Sequence, residues 1–370
     1  MPMVIGLVLD DTLDRSDGVQ QAVLAIGENL RQRGHDVHYI VAETTNAEVK
    51  NVHSMSKFVS VNFNGNSVRT PLPASKDKLA TLFATVDFDV LHVQMPFSPL
   101  LSGRVIASSG KLTKIFGTFH ILPYNIIAEG GTKLLGLATK QSVARMKRCF
   151  AVSEPAKRFM DSAFGTFNKS SVLPNPVDYA FYSSFKKKPN DKTRIVFVGR
   201  FEARKGVKQL IEAYANLPES MRMHTELTMI GKGPLDDVVR LRAQQLNLEV
   251  NFPGFVSQEE KAQALANADI AVFPSVSGES FGIVLTEAMA AGAGVTIGGN
   301  NPGYASVLEP WPETLFDPKN SMLFTQKLAE FINHPNKREQ IGMRQREAVK
   351  QYDIEVVVSE LERRYSEEVD

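Results

Sequence analysis

Short apolar runs rich in β-branched residues alternate with segments of helical period along the chain, and the alternation begins twice. Val4–Leu9 reads as a strand, and the segment from Val19 to Arg33 places Val19, Val23, Ile26 and Leu30 on one helical face. Gly34 closes that helix, and Val37–Val41 reads as the next strand. Val90–Val93, Ile115–Phe119 and Cys149–Val152 continue the series. After a polar linker, Ser183–Lys192, it restarts at Arg194–Gly199 and runs on through Glu226–Ile230, Val250–Phe252, Ile270–Phe273 and Gly294–Ile297. Strands separated by helices pair in parallel, with helices covering both faces of the sheet. The expected fold is α/β: one doubly wound domain over residues 1–182 and a second over 183–351, a division that suits a chain of 370 residues.

Bulk properties remove several function classes. A net charge of +1 offers no general attraction for nucleic acid, so no nucleic-acid partner is expected. The single cysteine, Cys149, can form neither an internal disulfide nor a thiolate cluster, and reads as a small buried hydrophobe on a strand. The opening MPMVIGLVLDD has no basic n-region and no cleavage site. No stretch approaches the roughly 18 apolar residues of a membrane span. The expected location is cytoplasmic, with a peripheral contact to the inner face of a membrane left open.

In doubly wound folds, ligands sit outside the carboxyl ends of the strands, so the residues just after each apolar run carry the chemistry. Ser275–Ala291, SVSGESFGIVLTEAMAA, is the densest such region. Glu279 lies in a loop with Ser280, Phe281 and Gly282 at the turn into a helix, and Glu287 lies on that helix. A loop carboxylate beside a helix start can accept hydrogen bonds from sugar hydroxyls; taken singly, either glutamate also reads as a solvated surface residue. Arg200, Arg204 and Lys205 follow a strand and precede a helix, where cations suit a diphosphate or simply form a basic turn. Gly231 sits in a Gly-Lys-Gly loop after the next strand. In the first half, Ser16-Asp17-Gly18-Val19-Gln20 joins strand to helix; Gly18 lets backbone N–H groups approach a phosphate, and Asp17 also reads as a helix cap. His120 ends the run Ile115–Phe119.

These signals fall in one order. The chain resembles glycosyltransferase family 4, the retaining GT-B enzymes, over nearly its whole length. The features that carry the resemblance are GVQ at Gly18–Gln20, TFH ending in His120, AVSEPAKR at Ala151–Arg158 and LPNPVD at Leu173–Asp178. VGRFEARKG at Val198–Gly206, IGKGP at Ile230–Pro234, GFVSQEEKA at Gly254–Ala262 and ESFGIVLTE at Glu279–Glu287 complete them. GVQ together with GESFGIVLTEAMAAG looks similar to bacterial phosphatidyl-inositol mannosyltransferases and their relatives. The sequence departs from the family pattern at Asp17, where a glycine is frequent, and at Ala293-Gly294, where a small residue and proline are common.

The resemblance implies two Rossmann-like domains facing a cleft that closes on the donor, with residues 352–370 crossing back to the first. It implies a hexose moved from a nucleotide sugar, GDP-mannose or a UDP-hexose, to a hydroxyl acceptor that is lipid-linked or phosphorylated. The nucleotide sugar is then a substrate; no cofactor and no metal are expected. Arg200 and Lys205 would hold the diphosphate with the Gly18 turn and Gln20 opposite, Glu279 the sugar hydroxyls and Glu287 the ribose. Gly231, Phe255 and Val256 would flank the nucleotide, Lys261 would lie near the base, and His120 would reach the transferred sugar. The fixed cations would stabilise the departing diphosphate, and front-face attack by the acceptor would retain configuration. Three other readings use the same scaffold: a soluble-acceptor synthase for sugar phosphates or glucans, a nucleotide-sugar epimerase, and a non-catalytic nucleotide-sugar sensor. Between Val90 and Ser153 there is one acidic residue, Glu129, against eight cations: Arg104, Lys111, Lys114, Lys133, Lys140, Arg145, Lys147 and Arg148. With a helix expected over Gly136–Arg148, they read either as a solvated face or as a docking face for anionic lipid headgroups.

Overall fold

The computed structural model describes residues 1–14, 18–45, 48–63, 66–122, 136 and 138–367. It divides into two compact units, Met1–Pro176 with Ile354–Asp370, and Val177–Asp353. In the first unit seven strands form a parallel sheet: β1 (Val4–Leu9), β2 (Asp36–Val41), β3 (Val52–Ser54), β6 (Val90–Gln94), β7 (Lys114–Phe119), β8 (Arg148–Ala151) and β9 (Ser170–Val172). Their order is β3-β2-β1-β6-β7-β8-β9. An antiparallel hairpin, β4 (Phe58–Phe63) with β5 (Asn66–Pro71), is inserted between β3 and β6. The second unit holds β10 (Thr193–Val198), β11 (Thr225–Ile230), β12 (Val250–Gly254), β13 (Ile270–Phe273), β14 (Thr296–Gly299) and β15 (Leu315–Phe316). They are ordered β12-β11-β10-β13-β14-β15, again all parallel.

Both sheets reverse their strand order once, between β1 and β6 and between β10 and β13. Beyond the carboxyl ends of those strand pairs lies the crevice in which doubly wound folds take their ligands. The strands read as unbroken apolar runs because both faces are covered: every residue of Ile5–Leu9 and Ile270–Phe273 is buried. Cys149 is fully buried in β8, and burial pushes its thiol up to about 12, which leaves it inert as a nucleophile.

Three boundaries differ from the sequence expectation. The second unit begins at Val177, because the helix Tyr179–Ser184 packs on the helix Ile283–Ala291 of that unit. The last sheet strand read from the sequence, Gly294–Ile297, is shifted: β14 is Thr296–Gly299, and Gly294 and Val295 lie in the approach to it. Of the helix expected over Gly136–Arg148, Gly136 and Ala138 are helical, a turn falls at Thr139, and the helix Lys140–Arg145 follows; Arg148 already opens β8. Asp17 and Ser16, and Glu129 and Lys133 of the basic stretch, lie outside the described residues.

The C-terminal helix Ile354–Glu367 belongs to the first unit. It buries Ile354, Val357, Val358, Leu361 and Tyr365 in the same apolar cluster as β1, β2 and the helix Gly18–Gln32. Arg33 pairs with Glu355 at 2.5 Å and Glu362 at 2.6 Å, and His35 meets Glu362 at 2.7 Å. Deeper down, the Tyr365 hydroxyl lies 2.5 Å from His92 Nδ1, and His92 Nε2 lies 2.6 Å from the Thr118 hydroxyl. No helix among the described residues is long and apolar enough to cross a membrane.

Candidate functional site

In the second unit the loops that leave β10, β11, β12 and β13 are knitted into one layer. Gly199 N–H donates to Ile230 O, Phe201 N–H to Lys232 O and Gly231 N–H to Gly254 O, at 2.9–3.0 Å. This layer requires glycine at its crossings. A Cβ on Gly231, whose φ is +130°, would stand 2.1 Å from Gly199 O, and one on Gly206, at φ +72°, would stand 2.0 Å from Pro274 O. Gly206 also starts the helix Val207–Ala215, so Arg204 and Lys205 are delivered to a helix N-terminus.

Glu279 is the hub of the site. Its Oε1 takes Lys205 Nζ at 2.8 Å, Arg204 Nη1 at 3.1 Å and the Ser275 hydroxyl at 3.0 Å, and no described residue bonds its Oε2. Burial pushes this carboxyl up, but Lys205 and Arg204 outweigh burial and hold it below the usual carboxylate range. Glu279 is therefore an ionised, 9% exposed carboxylate with one oxygen saturated and the other open. Glu202 bridges the remaining cations, 3.1 Å from Arg200 and 3.1 Å from Arg204. Below the loop, the Ser275 hydroxyl meets the Tyr304 phenol at 3.1 Å, and Asn301 caps the helix Pro302–Leu308 while its amide donates to Ser275 O at 3.0 Å. Burial raises Tyr304 well above a free phenol, so it stays neutral.

One helical stretch further on, Glu287 is 7% exposed and takes Lys261 Nζ at 2.8 Å. Tyr182 lies against the same carboxylate, and Lys261 Nζ stands 5.5 Å from the centre of its ring. Burial, then the Glu287 charge, raise the Tyr182 phenol far above its ordinary value.

The corresponding edge of the first sheet is of another kind. His120 Nε2 lies 2.7 Å from Gln94 Oε1 at the end of β6, while His120 Nδ1 is buried and has no partner among the described residues. Burial pushes this imidazole down to about 4, so it is neutral at ordinary pH. Gly18 begins the helix Gly18–Gln32, and Gln20, 3% exposed, donates to Asp11 at 2.9 Å.

Two units of doubly wound topology with cations and buried carboxylates at one strand edge, glycines and a neutral histidine at the other, invite comparison with known proteins. Residues 16–181 match the family model described as Glycosyltransferase Family 4, and residues 179–348 that of Glycosyl transferases group 1. The chain is 31% identical over 388 aligned positions to a phosphatidyl-myo-inositol mannosyltransferase of Mycobacterium tuberculosis, covering 98% of this chain and 96% of the relative. Its counterpart in Mycolicibacterium smegmatis is 34% identical over 304 residues, covering 79% of this chain and 75% of the relative. This chain belongs to the family 4 glycosyltransferases. A sucrose-phosphate synthase from Thermosynechococcus elongatus shares the fold with a TM-score of 0.75 at 18% identity, over 99% of this chain and 98% of that one.

In this glycosyltransferase the structure gathers Arg200, Lys205, Glu279 and Gly231 on the β10–β13 loops, and Lys261 with Glu287 beside them. Phe255 is 78% exposed next to the buried Gly254, and Val256 is half-buried. Gly282, at φ +117°, turns the chain into the helix Ile283–Ala291, with Ser280 half-buried just before it. Phe281 offers a ligand only its backbone, because its ring is buried 5.3 Å from that of Tyr352. Gln20 is likewise turned inward and held by Asp11.

The sequence reading counted Arg204 only among the cations of its turn and gave no role to Glu202, Ser275, Tyr304 or Tyr182. Arg204 and Glu202 stood in the motif already quoted; Tyr182 follows the LPNPVD motif at helical spacing but carries no mark of its partnership with Glu287. The basic stretch contracts in the structure. Arg104 donates to Ala74 O at 2.7 Å, and Arg145 bonds Ile106 O, Ser109 O at 3.2 Å and Gly110 O at 2.8 Å, so both half-buried cations are engaged by backbone carbonyls.

Proposed function

We propose that this glycosyltransferase moves mannose from a nucleotide sugar to the inositol headgroup of a phosphatidylinositol-type lipid, with retention of configuration and without a metal. The observation that carries the reading is the full-length identity to relatives bearing that name. The second unit is the donor side: Arg200, Lys205 and Arg204 meet the diphosphate, Glu279 Oε2 takes hydroxyls of the sugar, and Glu287 takes those of the ribose. The Gly231 loop, Phe255, Val256 and Lys261 frame the base, and the backbone of Ser280–Gly282 closes on the sugar phosphate. On the first unit, Gly18 offers backbone N–H groups to an anion and His120 offers a lone pair to a sugar hydroxyl.

Cleavage of the bond between the sugar's anomeric carbon and phosphate leaves an electron pair on the departing diphosphate oxygen. Cations already fixed at a helix N-terminus stabilise that charge without reorganising. The acceptor hydroxyl attacks the same face, its oxygen bonding the anomeric carbon while its proton passes to the departing phosphate oxygen. Glu279 is unsuited to a double displacement, because Lys205 and Arg204 hold its carboxylate as a hydrogen-bond acceptor of low basicity.

A thermal-shift screen of GDP-, UDP- and ADP-sugars with and without EDTA, followed by transfer to phosphatidylinositol in vesicles, tests the reading. Stabilisation by one nucleotide family that EDTA does not alter, GDP-mannose being the first candidate, is the expected result. Stabilisation by none of them removes the donor assignment, and stabilisation abolished by EDTA removes the metal-free one.

A further inference from the structure

Asp10 has no part in the mechanism above, yet it stands where the first sheet reverses its strand order, one residue beyond β1. Its Oδ1 accepts from the Ser102 backbone N–H at 2.7 Å and from the Ser102 hydroxyl at 2.5 Å, and so caps the helix Leu101–Ser108. Ser98 and Leu101 stand beside the same carboxyl. Its Oδ2 is buried and has no partner among the described residues. Along the same edge, with β6 between them, His120 follows β7. Gln94 Oε1 accepts from His120 Nε2, which fixes the proton there and leaves Nδ1 as a bare lone pair, also buried and unpartnered.

Buried polar atoms are almost always satisfied, and two orphans on one ligand-binding edge call for an explanation. The two orphans at this edge are both acceptors. An anion would bring them only further lone pairs; what they lack is hydrogen-bond donors, and a ligand with several hydroxyls on a rigid ring supplies them. We propose that Asp10 is an acceptor-binding residue, its Oδ2 taking a hydroxyl of the polyol that receives the sugar. This deepens the reading of a polyol-bearing acceptor and rests on it. Asp10 positions the acceptor; the proton released in transfer still goes to the departing phosphate.

Asp10→Asn tests the assignment. The amide keeps a carbonyl oxygen for Ser102 and the same shape, but turns the free acceptor atom into a donor. Transfer from GDP-mannose to phosphatidylinositol in phosphatidylcholine vesicles is measured with the full chain, together with the thermal shift given by GDP. The expected result is a KM for phosphatidylinositol raised roughly ten- to a hundredfold, the scale of one buried polar group left without its partner, with the GDP shift and the KM for GDP-mannose unchanged. Free myo-inositol should compete with the lipid in the wild type and lose that ability in the variant. A variant with the wild-type KM for the lipid overturns the proposal, as does one whose GDP shift and lipid transfer fall together. If Asp10→Asn does not fold, competition by free myo-inositol against lipid transfer in the wild type, set beside the GDP shift, is read for the same split, and myo-inositol that does not compete overturns the proposal. Wild-type protein that binds GDP-mannose and transfers to no polyol overturns the acceptor reading itself, a result distinct from transfer that ignores Asp10.

Discussion

At the carboxyl edge of the second sheet, one oxygen of Glu279 gathers Lys205, Arg204 and Ser275, while Glu202 gathers Arg200 and Arg204. At the same edge of the first sheet, Asp10 Oδ2 and His120 Nδ1 have no partner among the described residues. The two edges share a topology and differ in what is already paired. The second keeps its cations in position with internal carboxylates, so the proposed diphosphate would need only an exchange of partners. The first holds buried acceptor atoms without a partner among the described residues, which the proposed polyol would satisfy with its hydroxyls. The units differ in construction as well: residues 177–353 form the second without interruption, whereas the first is completed by a helix from the far end of the chain.

The largest effect should come from that discontinuity. A chain ending at Asp353 loses Ile354, Val357, Val358, Leu361 and Tyr365 from the first core. Each such side chain contributes about 1.5–3 kcal/mol on burial, and five of them rival the ~5–15 kcal/mol that holds an ordinary domain together. The truncated protein should therefore lose the first unit while the second keeps a transition that GDP shifts upward. Calorimetry with and without GDP reads this directly, and a truncated chain that retains both transitions would falsify the division of roles between core and C-terminal helix.

Next in size is the exchange of partners at the donor edge. Lys205→Ala removes a cation 2.8 Å from Glu279, and loss of one fixed group of this kind costs about 3–4 kcal/mol of transition-state stabilisation. Turnover should fall roughly a hundred- to a thousandfold, and Arg200→Ala should do likewise. Single-turnover rates at saturating donor check it; near-normal turnover in both variants would remove these side chains from the mechanism.

How much of this was readable beforehand follows the same division. Val4–Leu9, Ile115–Phe119 and Ile270–Phe273 announce themselves because a strand buried on both faces is apolar at every position. Val52–Ser54, Ser170–Val172 and Leu315–Phe316 are two or three residues long and carry no such signal. The hairpin Phe58–Pro71 has a period-two pattern in Val59, Val61 and Phe63 that escaped notice. On the donor edge, Arg200, Lys205, Glu279 and Glu287 are charged residues just past apolar runs, a contrast visible in one dimension. Asp10 is not visible in that way. It opens an acidic stretch, Asp10-Asp11-Thr12-Leu13-Asp14, that reads as a solvated turn, and its burial comes from Ser102, 92 residues later. Tyr182 gains its meaning from Glu287 in the same manner. Chemistry made by local order was legible; chemistry made by tertiary contact was not.

A separate effect sets the two units apart by pH. His92, 1% exposed between Tyr365 and Thr118, has its pKa pushed down by burial, then by His120, to about 3, and burial holds His120 near 4. In the unfolded chain both return to about 6.5. Between those limits the unfolded state binds protons that the folded state refuses, so stability falls as pH falls. The slope is about 1.4 kcal/mol per pH unit for His92, beginning near pH 6.5 and flattening only around pH 3. His120 adds to it in the same direction. Glu279 works in the same direction but in a lower window. Its folded pKa lies below the ordinary carboxylate value, so its contribution is complete above about pH 4.5 and fades only as pH drops through that lower folded value. Acidification from pH 7 to 5 should therefore lower the melting of the first unit and leave that of the second nearly still. His92→Gln, which keeps hydrogen-bonding groups but cannot be protonated in this range, should flatten the first unit's dependence even if it lowers the plateau. Two transitions that move together, or a slope that His92→Gln leaves undiminished, would show that the difference in charge pairing between the two units does not extend to their stability.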